Sequence, residues 1–165
     1  MSRSGYTEDD DGNVPLAMWR GQVASAIRGK RGQVMLRDLL EALDAMPEKR
    51  LIKNALIVDA PSFIPPELSK HVTPDVCALG ALGVKRGINM ETLDPEDYHA
   101  VADAFGVAHQ LAQEIEWMND EAFWHATPEQ RWQNMRDWTL RQLKENWPVN
   151  QAKTRETIQQ ETPTP

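Results

Sequence analysis

Four histidines, one cysteine and a run of aspartates are the residues of this chain whose types could do chemistry. His71, His99, His109 and His125 are scattered, and no two stand at the i, i+4 spacing with which one helix holds zinc. Asp9-Asp10-Asp11-Gly12-Asn13 offers oxygen ligands but lacks the spacing and the closing glutamate of a calcium loop. Cys77 sits among small apolar residues, where a buried, inert thiol is expected. Carboxylates are so abundant that no pair stands out as an acid–base couple. No nucleophile, base and orienter emerge together. These residues predict a non-enzymatic protein with no metal and no cofactor.

Binding chemistry is better represented than catalysis. Residues 87–130 contain no lysine or arginine and ten acids, among them Glu114, Glu116, Asp120 and Glu121. The chain as a whole carries −7, yet residues 19–53 carry +4 and residues 54–165 carry −8. An acidic face repels phosphate and suits a basic partner; a basic patch suits the reverse. The four acids just named are expected to form such a face, imitating DNA towards a basic groove on a partner.

The acidic tract coincides with the one stretch patterned like a helix-turn-helix. Val101, Ala102, Phe105, Val107, Ala112 and Ile115 have its apolar spacing, with Gly106 in the turn. Its second helix would carry Gln110 and Gln113 towards adenines. It has no cation for phosphates, whose contacts dominate affinity, so a plain helix-loop-helix or one helix bent at Gly106 is favoured. The better nucleic-acid candidate is the turn Arg28-Gly29-Lys30-Arg31-Gly32-Gln33. Arg28, Lys30 and Arg31 there suit phosphate, although cations also favour the ends of helices. Its spacing matches neither a Walker loop nor a dinucleotide fingerprint.

Six tryptophans are many for 165 residues. Tryptophan is enriched at interface hot spots and is also an ordinary core residue. Trp132 and Trp147 share the apolar face of the last helix. At about 100° per residue, Trp138 is expected on its other side. Trp117 and Trp124 flank Asn119-Asp120-Glu121. Trp124 and Trp138 are the two expected on a partner-binding surface.

Apolar periodicity predicts the elements that position these residues. A first helix spans residues 15–28, with Pro15 at its first position. Gly29-Lys30-Arg31-Gly32 breaks it, and Val34, Leu36, Leu39, Leu40 and Leu43 mark a second. Residues 51–58 read as a strand nearly as well as a short helix. A proline-rich loop follows over residues 60–74. Thr73 is the expected cap of a short helix through residues 74–82, in which Gly80 and Gly83 point to close backbone packing. Asp94 is expected to cap the next helix. Thr127-Pro128-Glu129-Gln130 opens the last one with a capping box. The predicted fold is mainly α: one compact domain of about five or six helices, with room for a short two-stranded β element.

Length favours a single domain over residues 14–147. Residues 1–13 and 148–165 are too polar to offset the entropy of ordering, so an acidic arm and a tail are expected there. A lone cysteine suits a reducing compartment. No apolar run reaches the ~20 residues of a membrane span, and no secretory leader is evident. A bacterial cytoplasmic protein without membrane contact is expected.

Several strings occur together: Ser2-Arg3-Ser4-Gly5-Tyr6, the Arg28–Gln33 turn, Ala45-Met46-Pro47-Glu48-Lys49-Arg50-Leu51-Ile52, Val76-Cys77-Ala78-Leu79-Gly80-Ala81, Leu93-Asp94-Pro95-Glu96-Asp97, Asn119-Asp120-Glu121, and Thr127-Pro128-Glu129 with Arg131-Trp132. With them the chain resembles a family of small acidic proteins encoded by bacteriophages and prophages of proteobacteria. The resemblance covers residues 1 to about 142. Residues 60–74 are longer and richer in proline than in that family, and the tail is extra. The resemblance carries over no activity; with the acidic tract, the expectation is a non-enzymatic accessory protein that binds a host or phage protein, of anti-defence type if the acidic face imitates DNA. It implies no catalytic residue. A small nucleic-acid-binding regulator using residues 28–33 is the alternative.

Overall fold

The first two helices are separated by a single residue, and the glycine that allows this is not the one in the turn. The computed structural model describes residues 16–58 and 73–143. Within them α1 spans Leu16–Arg28 and α2 spans Lys30–Ala45, with Gly29 alone between. The expected four-residue break is therefore corrected: Lys30, Arg31 and Gly32 already belong to α2. Gly32 serves packing instead. A Cβ there would stand 1.9 Å from the carbonyl oxygen of Ala26, so only glycine lets the two helices approach this closely.

Residues 51–56 cross the molecule irregularly and end in β1, Ile57–Val58. It pairs antiparallel with β2, Asp75–Val76, with Ile57 opposite Val76. The next helix, α3, runs Ala78–Arg86 and is capped by Cys77, whose Sγ accepts from the Gly80 amide, so Thr73 does not cap it. Gly80 lies against the Leu56 carbonyl and Gly83 against the Met90 thioether, close approaches that a Cβ would block. Then come α4 (Tyr98–Phe105), α5 (His109–Asp120) and α6 (Pro128–Gln142). Asp97 rather than Asp94 caps α4, because Asp94-Pro95-Glu96 folds into a turn of its own, with the Asp94 carboxylate accepting from the Glu96 amide. Gly106 ends α4 at φ 65°, the left-handed conformation glycine adopts freely. Thr127 and Gln130 form the expected capping box.

The fold is mainly α, with six helices and one small antiparallel pair among the described residues. Helix α5 lies at its centre, packed by α1, α3, α4 and α6. The core joins Leu36, Leu39 and Leu43 of α2 to Leu79 and Leu82 of α3, Val101 of α4, Leu111 and Ile115 of α5, and Met135 of α6. The expected N-terminal arm, nearly all of the proline-rich loop, Trp147 and the tail lie outside the described residues.

Candidate functional site

Helix α5 decides where the acidic tract can act. Nine of its twelve residues are buried, including Gln113, Glu114, Glu116, Asn119 and Asp120. Glu114 and Asp120 are each 6% exposed and Glu116 is 1% exposed. The expected acidic face of Glu114, Glu116, Asp120 and Glu121 is thereby corrected. Three of the four carboxylates point into the protein, and only Glu121 is half-exposed. The acidic tract suggested a solvated face, but α1, α3, α4 and α6 pack around α5 and cover most of its surface.

Glu114, Asn119 and Asp120 are held by specific partners. Both carboxylate oxygens of Glu114 accept from the Arg20 guanidinium on α1, at 3.0 and 2.9 Å. Arg20 also lies over the Trp117 ring at 5.8 Å. Asn119 donates to the Ile52 carbonyl at 2.9 Å and to Asp120 at 2.6 Å, and accepts from the Ala78 amide at 3.1 Å. The other Asp120 oxygen accepts from the Asn54 amide. Arg131 of α6 donates to the carbonyls of Leu51 and Ala126. Burial pushes its guanidinium below the ordinary range, and Asp120 acts against that shift. This network ties the irregular 51–56 segment to the connection between α5 and α6. Most of its hydrogen bonds go to backbone groups, which holds the segment in place.

The same burial removes the helix-turn-helix. Gln113 is 5% exposed and Gln110 donates to Gln22 of α1, so α5 cannot lie in a major groove. Trp138 is corrected as well: it is 6% exposed in the core, because α6 packs on α2 over a face wide enough to include it. Trp132 donates its indole N–H to the Leu43 carbonyl at 3.0 Å.

Trp124 is different. It stands 66% exposed on the connection between α5 and α6, next to Phe123 at 43%. The His125 ring lies against it. The connection is held from beneath by the Asn119–Asp120–Arg131 network, so its two aromatics are presented from a fixed base. Sequence alone offered Trp124 by its position beside a polar turn. It did not offer Phe123.

The basic candidates remain on the surface. Arg28, Lys30 and Arg31 are exposed around Gly29. Most described cations of the fold are committed: Arg50 to Glu48 and Asp75, Lys85 to Glu41, Arg86 to Asp38, Arg136 to Asp44. Lys30 and Arg31 have no ion-pair partner among the described residues. They line an open groove of about 210 Å³ together with Val34, Arg86, Gly106 and the largely buried Met35 and Phe105. Periodicity could not reveal this groove, since it is assembled from α2, α3 and α4.

No described group of three or more histidine, cysteine or acidic side chains could hold a metal. The His99 and His109 rings pack at a tilt with centres 4.8 Å apart, flanked by Tyr98 and Trp19, but only as a pair. Cys77 is buried at 1% exposure and engaged in capping α3. No described helix is long and apolar enough to cross a membrane. Compared with protein-family models, with curated proteins and with solved structures, the chain matches none of them.

Proposed function

We propose that this is a non-enzymatic accessory protein that docks on another protein through the connection between α5 and α6. The observation that carries the reading is the adjacent pair Phe123 and Trp124, large aromatics exposed on a tethered turn. Aromatic anchors of this kind supply much of the energy at interfaces, and a fixed base limits the entropy lost on docking. The resemblance to phage-encoded proteins supports a partner drawn from the host or the phage. The anti-defence reading through a DNA-like face loses Glu114, Glu116 and Asp120, which are turned inward. Its remaining support is the exposed acids Glu91, Asp94, Glu96, Asp97 and Asp103.

The test is capture from bacterial lysate on immobilised full-length chain, quantified by mass spectrometry against Trp124→Ala. A partner held by this turn is retained at least about tenfold less by the variant, since an interface hot spot is worth ~2 kcal/mol or more. Captured proteins that are retained equally by Trp124→Ala and Phe123→Ala would remove the turn from the interface. The second reading, nucleic-acid binding at Arg28, Lys30 and Arg31, is favoured by the two uncommitted cations. Specific duplex binding commonly uses about 6–10 phosphate contacts, which these three residues do not supply. A mobility shift abolished by changing all three to alanine would restore it.

A further inference from the structure

Where α1, α4 and α5 meet, four rings form one cluster. Trp19 of α1 lies 6.2 Å from His109, the first residue of α5. Tyr98 and His99 open α4, and their ring centres stand 6.2 and 4.8 Å from His109. These separations are those of packed aromatic pairs. Both imidazoles sit in the first turn of a helix, at the positive end of its dipole, where a cation is disfavoured. Burial pushes the His109 imidazole below its ordinary 6.5, and His99 pushes it the same way.

The charged groups around the cluster do not reverse this. From α1 comes Arg20, a cation bonded to Glu114 of α5. From α2, Lys30 and Arg31 line the groove at Gly106, three residues before His109. On α4, Asp97 caps the helix through the Ala100 amide, and Asp103 is exposed one turn beyond His99; neither offsets the depression at His109. Uncharged, the two histidines give Trp19 an aromatic surface to pack on. With a proton on each, two like charges stand about 5 Å apart beside it, and a charged imidazole is better solvated in water than under a helix.

Helix α1 is the element able to respond. Of residues 17–28 only Val23 is buried. The end of α1 is pinned by the close approach of Ala26 to Gly32. Its side-chain links to α5 all lie before Val23: Trp19 to His109, Arg20 to Glu114 and Gln22 to Gln110.

We propose that His99 and His109 form a pH-sensitive latch, which holds the first half of α1 on α5 while neutral and releases it when charged. Release pivots α1 about its contact with Gly32 and parts Arg20 from Glu114 and Gln22 from Gln110. The latch is independent of the docking turn, which lies beyond the other end of α5. Its pH window follows from linkage. Docking holds His109 below 6.5 and release returns it to that value, so the latch is fully closed above about pH 6.5 and weakens as pH falls through the docked value. The weakening is about tenfold for each pKa unit between the two.

Hydrogen exchange of the full chain at pH 7.5 and pH 5, read by mass spectrometry, tests this. Each rate is divided by that of an unstructured peptide at the same pH. Residues 20–25 are expected to exchange faster than α6 at both pH values, which marks a local opening rather than global unfolding. Their protection is expected to fall about tenfold per pKa unit as the pH is lowered. In His109→Gln that fall disappears. In His99→Gln, a change at an exposed position, it shrinks, because the neighbouring charge is gone. Circular dichroism checks that the variants fold, and His99→Gln carries the test alone where His109→Gln does not. Residues 20–25 that exchange only as fast as α6 overturn the proposal. So does a local opening whose protection is the same at both pH values, or a fall that is undiminished in His99→Gln.

Discussion

Replacing Gly32 with alanine should destabilise this protein although alanine is the better helix former. Gly32 lies in the first turn of α2, and its added Cβ would stand 1.9 Å from the Ala26 oxygen and 3.0 Å from the Ile27 oxygen. Ordinary contact begins at 3.4 Å, so the end of α1 must retreat by about 1.5 Å. Both obstacles are backbone atoms two or three residues before the link at Gly29, and they cannot rotate aside. Overpacking of this kind costs about 1–3 kcal/mol. Alanine recovers up to ~1 kcal/mol of helix propensity, less in a first turn. The expected net loss is therefore about 1–2 kcal/mol, and a melting temperature lower by roughly 2–4 °C for each kcal/mol. Gly21 is the internal control. It sits inside α1 with nothing within 4 Å of its would-be Cβ, so Gly21→Ala should stabilise by about 0.5–1 kcal/mol. Urea unfolding of both variants, with m-values compared, measures the difference. Equal stabilisation by the two substitutions would refute the close approach of α1 and α2.

Two further outcomes follow from the polar groups. Asn119→Ala leaves the Ala78 amide and the Ile52 carbonyl without their side-chain partner, and at about 1–3 kcal/mol for each buried unsatisfied group it should cost roughly 2–4 kcal/mol in urea unfolding. His109 is held below its ordinary 6.5, first by burial and then by His99. A group whose folded value is depressed in this way binds its proton more readily when unfolded. Its contribution is fully present above about pH 6.5 and is lost as pH falls through the folded value. The unfolding midpoint should drop between pH 7.5 and pH 5 by more in the wild type than in His109→Gln, and identical pH profiles would contradict this.

The sequence by itself determined the kind of fold and most of its helices. Apolar residues recurring at helical spacing place α1, α2, α4, α5 and α6 within a few residues, because a helix buries one stripe wherever it packs. Thr127 and Gln130 were legible as a capping box because that geometry is local, and Cys77 as a buried thiol because its neighbours are small and apolar. Whatever depended on a second element was not legible. Gly32 resembles a turn glycine until Ala26 is found against it. Glu114, Glu116 and Asp120 resemble a solvated acidic face until α5 is found surrounded, with Arg20 drawn to Glu114 across 94 residues. Trp138 resembles an outer residue until α6 meets α2, whereas Trp124 stays outside because no described element covers its turn. Spacing along a chain records which side chains share a helix face. Burial depends on how many faces the other helices cover, and for a central helix like α5 that is decided only when the chain is folded.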